Sequence, residues 1–130
     1  GFSVMNIPSE LFQIDIRYFK HSFNLGWKLC TLRKMNERNN KSNIVRVETL
    51  IENTSLLEDF KSQQGRLRQC LIKPFQENMN QIPMCDWNYL DDNNEIVGKD
   101  IDKIKFIDFL KLKIGFNFLN YQTKTVLSCA

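Results

Sequence analysis

Several features are scarce in this sequence, and each scarcity removes a class of function. No apolar run approaches the ~18–20 residues of a membrane span, and the start, GFSVMN, lacks the basic-then-apolar order of a secretion signal. A soluble, cytoplasmic protein with no membrane partner is therefore expected. Only one histidine, His21, is available to join Cys30, Cys70, Cys85 and Cys129, and no two of these cysteines form a C-x-x-C pair. Such scatter does not fit a zinc site, and reduced, partly buried thiols are the expectation. No G-K-[ST] phosphate loop is present, and no Ser-His-Asp set can be placed. A nicking relaxase needs clustered histidines and a tyrosine nucleophile, which a lone histidine cannot supply. Neither an enzyme nor a cofactor is expected.

What the chain does have is a core. Of its 130 residues, 42% are hydrophobic, with ten Phe and two Trp, enough to fill one domain. Residues 1–130 are thus read as a single domain, and Gly1 in place of an initiator Met suggests a piece of a longer protein. Charge is unevenly spread. From Arg17 to Lys73 there are 12 basic and 5 acidic residues, a net +7, whereas the stretches before and after each carry −2. A basic middle between acidic ends points to an anionic partner.

Along the chain, SVMNIPSELFQID reads as an extended lead-in with a short helical turn at Ser9 to Phe12. Phe23, Leu25, Leu29, Leu32 and Met35 keep helical spacing behind Ser22 as N-cap, predicting a helix from Phe23 to Glu37. Gly26 inside it suggests that another element packs close there. Ile44, Val45 and Val47 favour a short strand, VETLIENT a short helix, and Ser55 with Glu58 a capping box for the next. The stripe Leu57, Phe60, Leu67, Leu71, Phe75, Met79 continues helically, with a break around Ser62 to Gly65 and a kink or helix junction at Pro74. MCDWNYL reads as a strand, DDNNE as a turn, DIDKIKFIDFL as a short helix or irregular insert, and the alternating LKLKIGFNFL as a second strand.

Helix, strand, helix, helix, strand, hairpin, strand is the order of a winged helix, an α+β fold with three main helices and a small antiparallel sheet or wing. Its third helix reads the major groove. The stretch from Ile7 to Leu56, with IPSELFQIDIRYF, LGWKLC and VRVETLIENTSL, resembles the winged-helix region of replication-initiator-like proteins from bacterial plasmids and integrative mobile elements, and the resemblance spans most of the chain from Ile7 to Phe118 at scattered positions. Carrying the resemblance are Ile7-Pro8, Leu11, Ile14-Asp15, Leu25-Gly26, Lys28-Leu29, Met35-Asn36, Val47 and Thr49-Leu50, then Arg66, Ile72, Pro74-Phe75, Trp87 and Tyr89. The resemblance implies duplex DNA binding, with a second module elsewhere in the natural protein.

Gln63, Gln64, Arg66, Arg68, Gln69 and Lys73 are the residue types that meet DNA: arginine forks onto guanine, glutamine pairs with adenine, lysine neutralises phosphate. Gln64, Arg66 and Gln69 are the candidates for base edges, Arg68 and Lys73 for phosphates. Arg33, Lys34, Arg38, Lys41 and Arg46 form a candidate flanking phosphate contact. The competing reading is a solvated helix face. A stacking platform at Tyr18 and Phe19 beside Arg17 and Lys20 is the nearest approach to a single-strand site. Asp86, Asp91, Asp92 and Glu95 lack the spacing of a calcium loop and read as a solvated turn. An acidic wing, DDNNEIVGKD, favours the alternative in which the fold mediates self-association, as a homodimer, or docking to a replication partner, with the alternating strand as part of the contact. A transcriptional regulator is a third option.

Overall fold

The computed structural model describes residues 2–14, 17, 19–63, 66–101, 103–119 and 123–129. Strand β1 (Phe2–Pro8) leads through a 3-10 turn (Ser9–Gln13) to helix α1 (Ser22–Arg38). Then come β2 (Ile44–Arg46), α2 (Val47–Ile51), α3 (Leu56–Gln63), a π turn (Arg68–Ile72) running into α4 (Lys73–Asn80), β3 (Cys85–Leu90), β4 (Ile96–Val97), α5 (Phe106–Lys111), β5 (Lys113–Phe118) and β6 (Thr123–Cys129). Among the described residues this is an α+β architecture with five α-helices and a four-stranded antiparallel sheet in the order β2-β5-β3-β4. A second, two-stranded sheet joins β1 to β6, with Phe2 opposite Cys129 and Pro8 opposite Thr123.

Helix α1 forms where its spacing predicts, but its start is built differently. His21, not Ser22, precedes the first turn, and no side chain caps it. The Ser22 hydroxyl is taken by Asn78 on α4, donating to its backbone carbonyl at 2.8 Å and to its Oδ1 at 3.0 Å, while the His21 N–H donates to the same Oδ1. A buried tertiary acceptor has displaced the local cap. Met35, expected on the buried stripe, is half exposed. Gly26 meets the close neighbour its presence suggests, since a Cβ there would lie 2.5 Å from Leu11 Cδ1. The capping box at Ser55 is likewise redirected: its hydroxyl reaches the Asp59 carboxylate at 3.4 Å rather than pairing with Glu58.

Pro74 shapes the next segment. Having no N–H, it cannot close an ordinary turn, and its ring crowds the carbonyl before it. The chain answers by widening the preceding turn, so that the Lys73 N–H donates five residues back to the Arg68 carbonyl. Proline then sits in the first turn of α4, where a missing donor costs little. This is the expected helix junction, realised as a π turn that leaves Leu71, Ile72, Phe75 and Met79 in the core.

Sheet and helices meet at an aromatic cluster. Trp87 and Tyr89, two residues apart on β3, stand edge to face at 5.1 Å between ring centres, and Phe75 packs edge-on to Trp87 at 6.1 Å and to Phe109 at 5.8 Å. Their polar atoms are satisfied: Trp87 Nε1 donates to Asn80 Oδ1 at 3.0 Å, and the Tyr89 hydroxyl accepts from Gln76 Nε2 at 3.1 Å. On β5, Ile114, Phe116 and Phe118 point into this core. Leu110 and Lys111, expected to begin that strand, are the last residues of α5 instead. Burial of Phe109 in the aromatic cluster decides between the two periods. Because β5 lies between β2 and β3, it is an inner strand, so it cannot be the exposed contact strand of the protein-docking reading.

Candidate nucleic-acid interface

The expected DNA residues fall in three places. Gln63 ends α3, and Gln64 lies outside the described residues, as does Tyr18 of the stacking reading. Arg66, Gln69 and Lys73 are exposed along the π turn and the start of α4. Continuing from Gln69, exposed positions recur at Lys73, Glu77 and Asn80, steps of four and three residues that define one helix face. Arg68 leaves this face and approaches Asp100, with Nη1 4.0 Å from Oδ1.

Glu77 is the feature of this face that charge counting overlooks. It sits 3.9 Å from the Lys73 ammonium, and it borders a groove of about 350 Å³ with Arg17, Lys20, His21, Asp59 and Gln69. In that groove Lys20 Nζ lies 2.9 Å from Asp59 Oδ2, and the nearly buried His21 ring presents Nε2 to the same oxygen at 3.6 Å. The hydrogen bond from Lys20 holds the Asp59 carboxyl below its ordinary range. Burial is the main cause lowering the His21 pKa, with Lys20 adding to it and Asp59 opposing. At neutral pH the groove therefore carries a neutral imidazole beside a lysine–aspartate pair.

The five flanking cations do not form one patch. Arg33 lies over the Phe118 ring at 4.9 Å from its centre, and the Lys34 ammonium is buried without a hydrogen-bond partner among the described residues. Arg38 and Lys41 are exposed at and beyond the end of α1. Arg46 stands opposite Lys113 in the sheet, at the far end of β5 from Phe118. Those ends are five residue steps apart along the strand, roughly 17 Å.

Arg46 instead gathers a cluster that sequence reading missed. Its Nη1 donates to the Lys111 carbonyl at 2.7 Å, and Lys113 Nζ reaches Asn94 Oδ1 at 3.1 Å and the Asp92 carbonyl at 3.4 Å. Three basic residues thus share the hairpin end of the sheet. Masking the signal was the acidic sequence of the hairpin, yet Asp91 is committed to folding it: Oδ1 accepts the N–H groups of Asn93 at 2.8 Å and Glu95 at 3.0 Å.

Elsewhere, burial pushes the Cys30 thiol up to about 11 and the Cys85 thiol to about 12, so both are protonated at neutral pH. No group of three metal-ligating side chains occurs among the described residues, and no described helix is long and apolar enough to cross a membrane. The chain matches no known family model, no curated protein and no solved structure.

Proposed function

We propose that this chain is a winged-helix module that binds duplex DNA, with the π turn and α4 as its third helix in the major groove. The observation that carries the reading is the coincidence of element order and sheet order. Helix α1, strand β2, the α2–α3 pair, α4, β3, the hairpin, α5 and β5 follow one another along the chain, and β2 pairs with β5, giving β2-β5-β3. In a winged helix this arrangement presents the third helix and the hairpin to one duplex. Arg66, Gln69 and Lys73 on the outer helix face supply base-edge and phosphate chemistry, and Arg46, Lys111 and Lys113 supply a second cationic contact at the hairpin end. A role in replication initiation on a mobile element rests on the sequence resemblance alone, and a transcriptional regulator would use the same surface.

Fluorescence anisotropy of a labelled random-sequence duplex across a salt series tests this. Log affinity should fall linearly with log salt, by about 0.9 per phosphate neutralised, and Arg66→Ala/Lys73→Ala should flatten the line. A folded wild-type protein with no affinity at low salt would end the DNA reading. The docking alternative would then turn to the hairpin, where Ile96 is 71% exposed, with sedimentation as its measure.

A further inference from the structure

Helix α1 carries a feature that the reading of α4 leaves unused. Asn24 and the residues three, four and seven places on, Trp27, Lys28 and Thr31, share one helix face. With Asn53, in the turn after α2, they line a pocket of about 280 Å³. Both walls are held in place. Phe23 stacks on the Trp27 indole at 6.0 Å between ring centres, and the Thr31 hydroxyl donates to the Trp27 carbonyl at 2.9 Å. Opposite, the buried Thr54 hydroxyl donates to the Ile51 carbonyl at 2.8 Å and accepts the Leu56 N–H at 3.3 Å, which fixes the turn that carries Asn53. Lys28 and Glu52 bridge the two walls at 3.6 Å and offset each other's charge. The polar groups of the pocket are nevertheless uncommitted. Buried Trp87 has its indole N–H satisfied by Asn80, whereas the indole N–H of partly buried Trp27 and the side-chain amides of Asn24 and Asn53 have no partner among the described residues.

We propose that this pocket binds an unpaired adenine base, set against the Trp27 indole and hydrogen-bonded by Asn24 and Asn53. Its volume lies just under the ~300–1,000 Å³ of sites for drug-sized ligands, which suits one small ring system. An aromatic wall is what a base stacks on, and an amide sets an oxygen acceptor beside an NH₂ donor, the complement of the adenine N6 and N7 edge. With Lys28 paired to Glu52, the recognised part of the ligand is neutral. The pocket nonetheless lies within the Arg17–Lys73 stretch of net charge +7, which attracts a molecule that also carries phosphate and does nothing for a neutral sugar. A free nucleotide and a single strand both offer such a base. A duplex does not, because its bases are paired and stacked, so the inference stands apart from the α4 reading.

Titration with adenosine monophosphate, followed by tryptophan fluorescence, is the test. The chain has two tryptophans and Trp87 is 2% exposed, so a ligand in the pocket reports through Trp27, and quenching should saturate. By calorimetry, Trp27→Ala should weaken binding about 5- to 150-fold. Asn24→Ala and Asn53→Ala, at exposed positions where the fold tolerates change, should each weaken it about 2- to 12-fold and leave duplex affinity unaltered. Oligo(dA) binding more tightly than the mononucleotide would uphold the pocket and assign it to a single strand; equal affinities would uphold it for the free nucleotide. Absence of saturable quenching in the folded protein would overturn the proposal. So would ribose 5-phosphate or a neutral sugar competing as well as the nucleotide, or an affinity unchanged in both asparagine variants.

Discussion

The Ser22 hydroxyl donates a 2.8 Å hydrogen bond to the backbone carbonyl of Asn78, joining the first turn of α1 to the last of α4 across 56 residues of sequence. Asn78 is the hub of this joint. Its Oδ1 also accepts the buried His21 N–H at 3.1 Å, and its Nδ2 donates to the Pro74 carbonyl at 2.8 Å. Ser22→Ala removes the hydroxyl shared between the Asn78 carbonyl and Oδ1, but the carbonyl keeps the Gln81 N–H as a donor and Oδ1 keeps the His21 N–H, so a loss of about 1 kcal/mol is expected. Asn78→Ala strands the His21 donor and should cost about 2–3 kcal/mol. Urea denaturation ranks the two. Equal and small losses would mean that the joint is not what fixes α4 against α1.

Gly26 offers a sharper case, because two effects oppose. Alanine in a helix interior is favoured over glycine by about 1 kcal/mol. Here the new methyl would lie 2.5 Å from Leu11 Cδ1, and Leu11 is buried. Overpacking of this kind costs about 1–3 kcal/mol, so Gly26→Ala should be destabilising. In a Leu11→Ala background the obstruction is gone, and the same substitution should become stabilising. A sign that does not reverse between backgrounds would rule out the contact as the cause.

Met84 sits at φ 56°, a left-handed conformation with a side chain that does not favour it. Its carbonyl accepts the Leu119 N–H at 2.8 Å, which ties this turn to the residue after β5. Asparagine tolerates the conformation better, as Asn40 and Asn94 do elsewhere in the chain. Because the left-handed region costs an ordinary L-residue roughly 1–2 kcal/mol, Met84→Asn should stabilise the fold by up to about 1 kcal/mol. A lower urea midpoint for the variant would show that Met84 contributes more by packing than it loses in strain.

Local pattern made much of this fold legible, and long-range contact accounts for what it missed. Apolar spacing in α1 and alternation in β3 and β5 are properties of a few neighbouring residues, so they could be read directly. Ser22 looked like a cap because nothing nearby competes for its hydroxyl; the competitor is Asn78. Nor could the pairing of β1 with β6 be read, since it joins opposite ends of the sequence. The π turn inserts one residue into a helical stripe, too small a change for periodicity to register. At the candidate interface the basic residue types were evident, but Arg68's companion, Asp100, lies 32 positions away, and the cluster of Arg46 with Lys111 and Lys113 exists only once β2 and β5 are paired.

Acid should weaken the fold through His21. Its pKa is lowered from 6.5, so between that value and its folded value the unfolded chain binds more protons than the native one, and stability falls as pH falls. Asp59 acts further down: with its pKa lowered from 3.8, its contribution is present above that value and lost below it. Asp59 faces this histidine and is paired with Lys20, and Arg17 and Glu77 border the same groove. His21→Gln should flatten the dependence below pH 6.5 while leaving the Asp59 limb in place. Denaturation midpoints across a pH series would decide, and a variant as steep as wild type would clear His21 of the effect.

Lys113 tests whether the hairpin end of the sheet meets phosphate despite its acidic sequence. Its ammonium is held by an amide oxygen and a carbonyl, neither of which neutralises charge. Arg46 across the sheet is likewise bonded to a carbonyl. Both therefore keep their charge available to an anion, while Asp91 turns its Oδ1 to the N–H groups of Asn93 and Glu95 inside the turn. Lys113→Ala should reduce the salt slope of duplex binding by about 0.9, the share of one phosphate. Stability should change little, since surface substitutions of this kind usually stay within about 0.5 kcal/mol. Arg46→Ala should do the same to the slope, and the double variant should lose about twice as much. If the slope falls for Lys73→Ala but not for either hairpin-end variant, DNA meets α4 alone, and the cations on β2 and β5 serve only to hold the hairpin against the sheet.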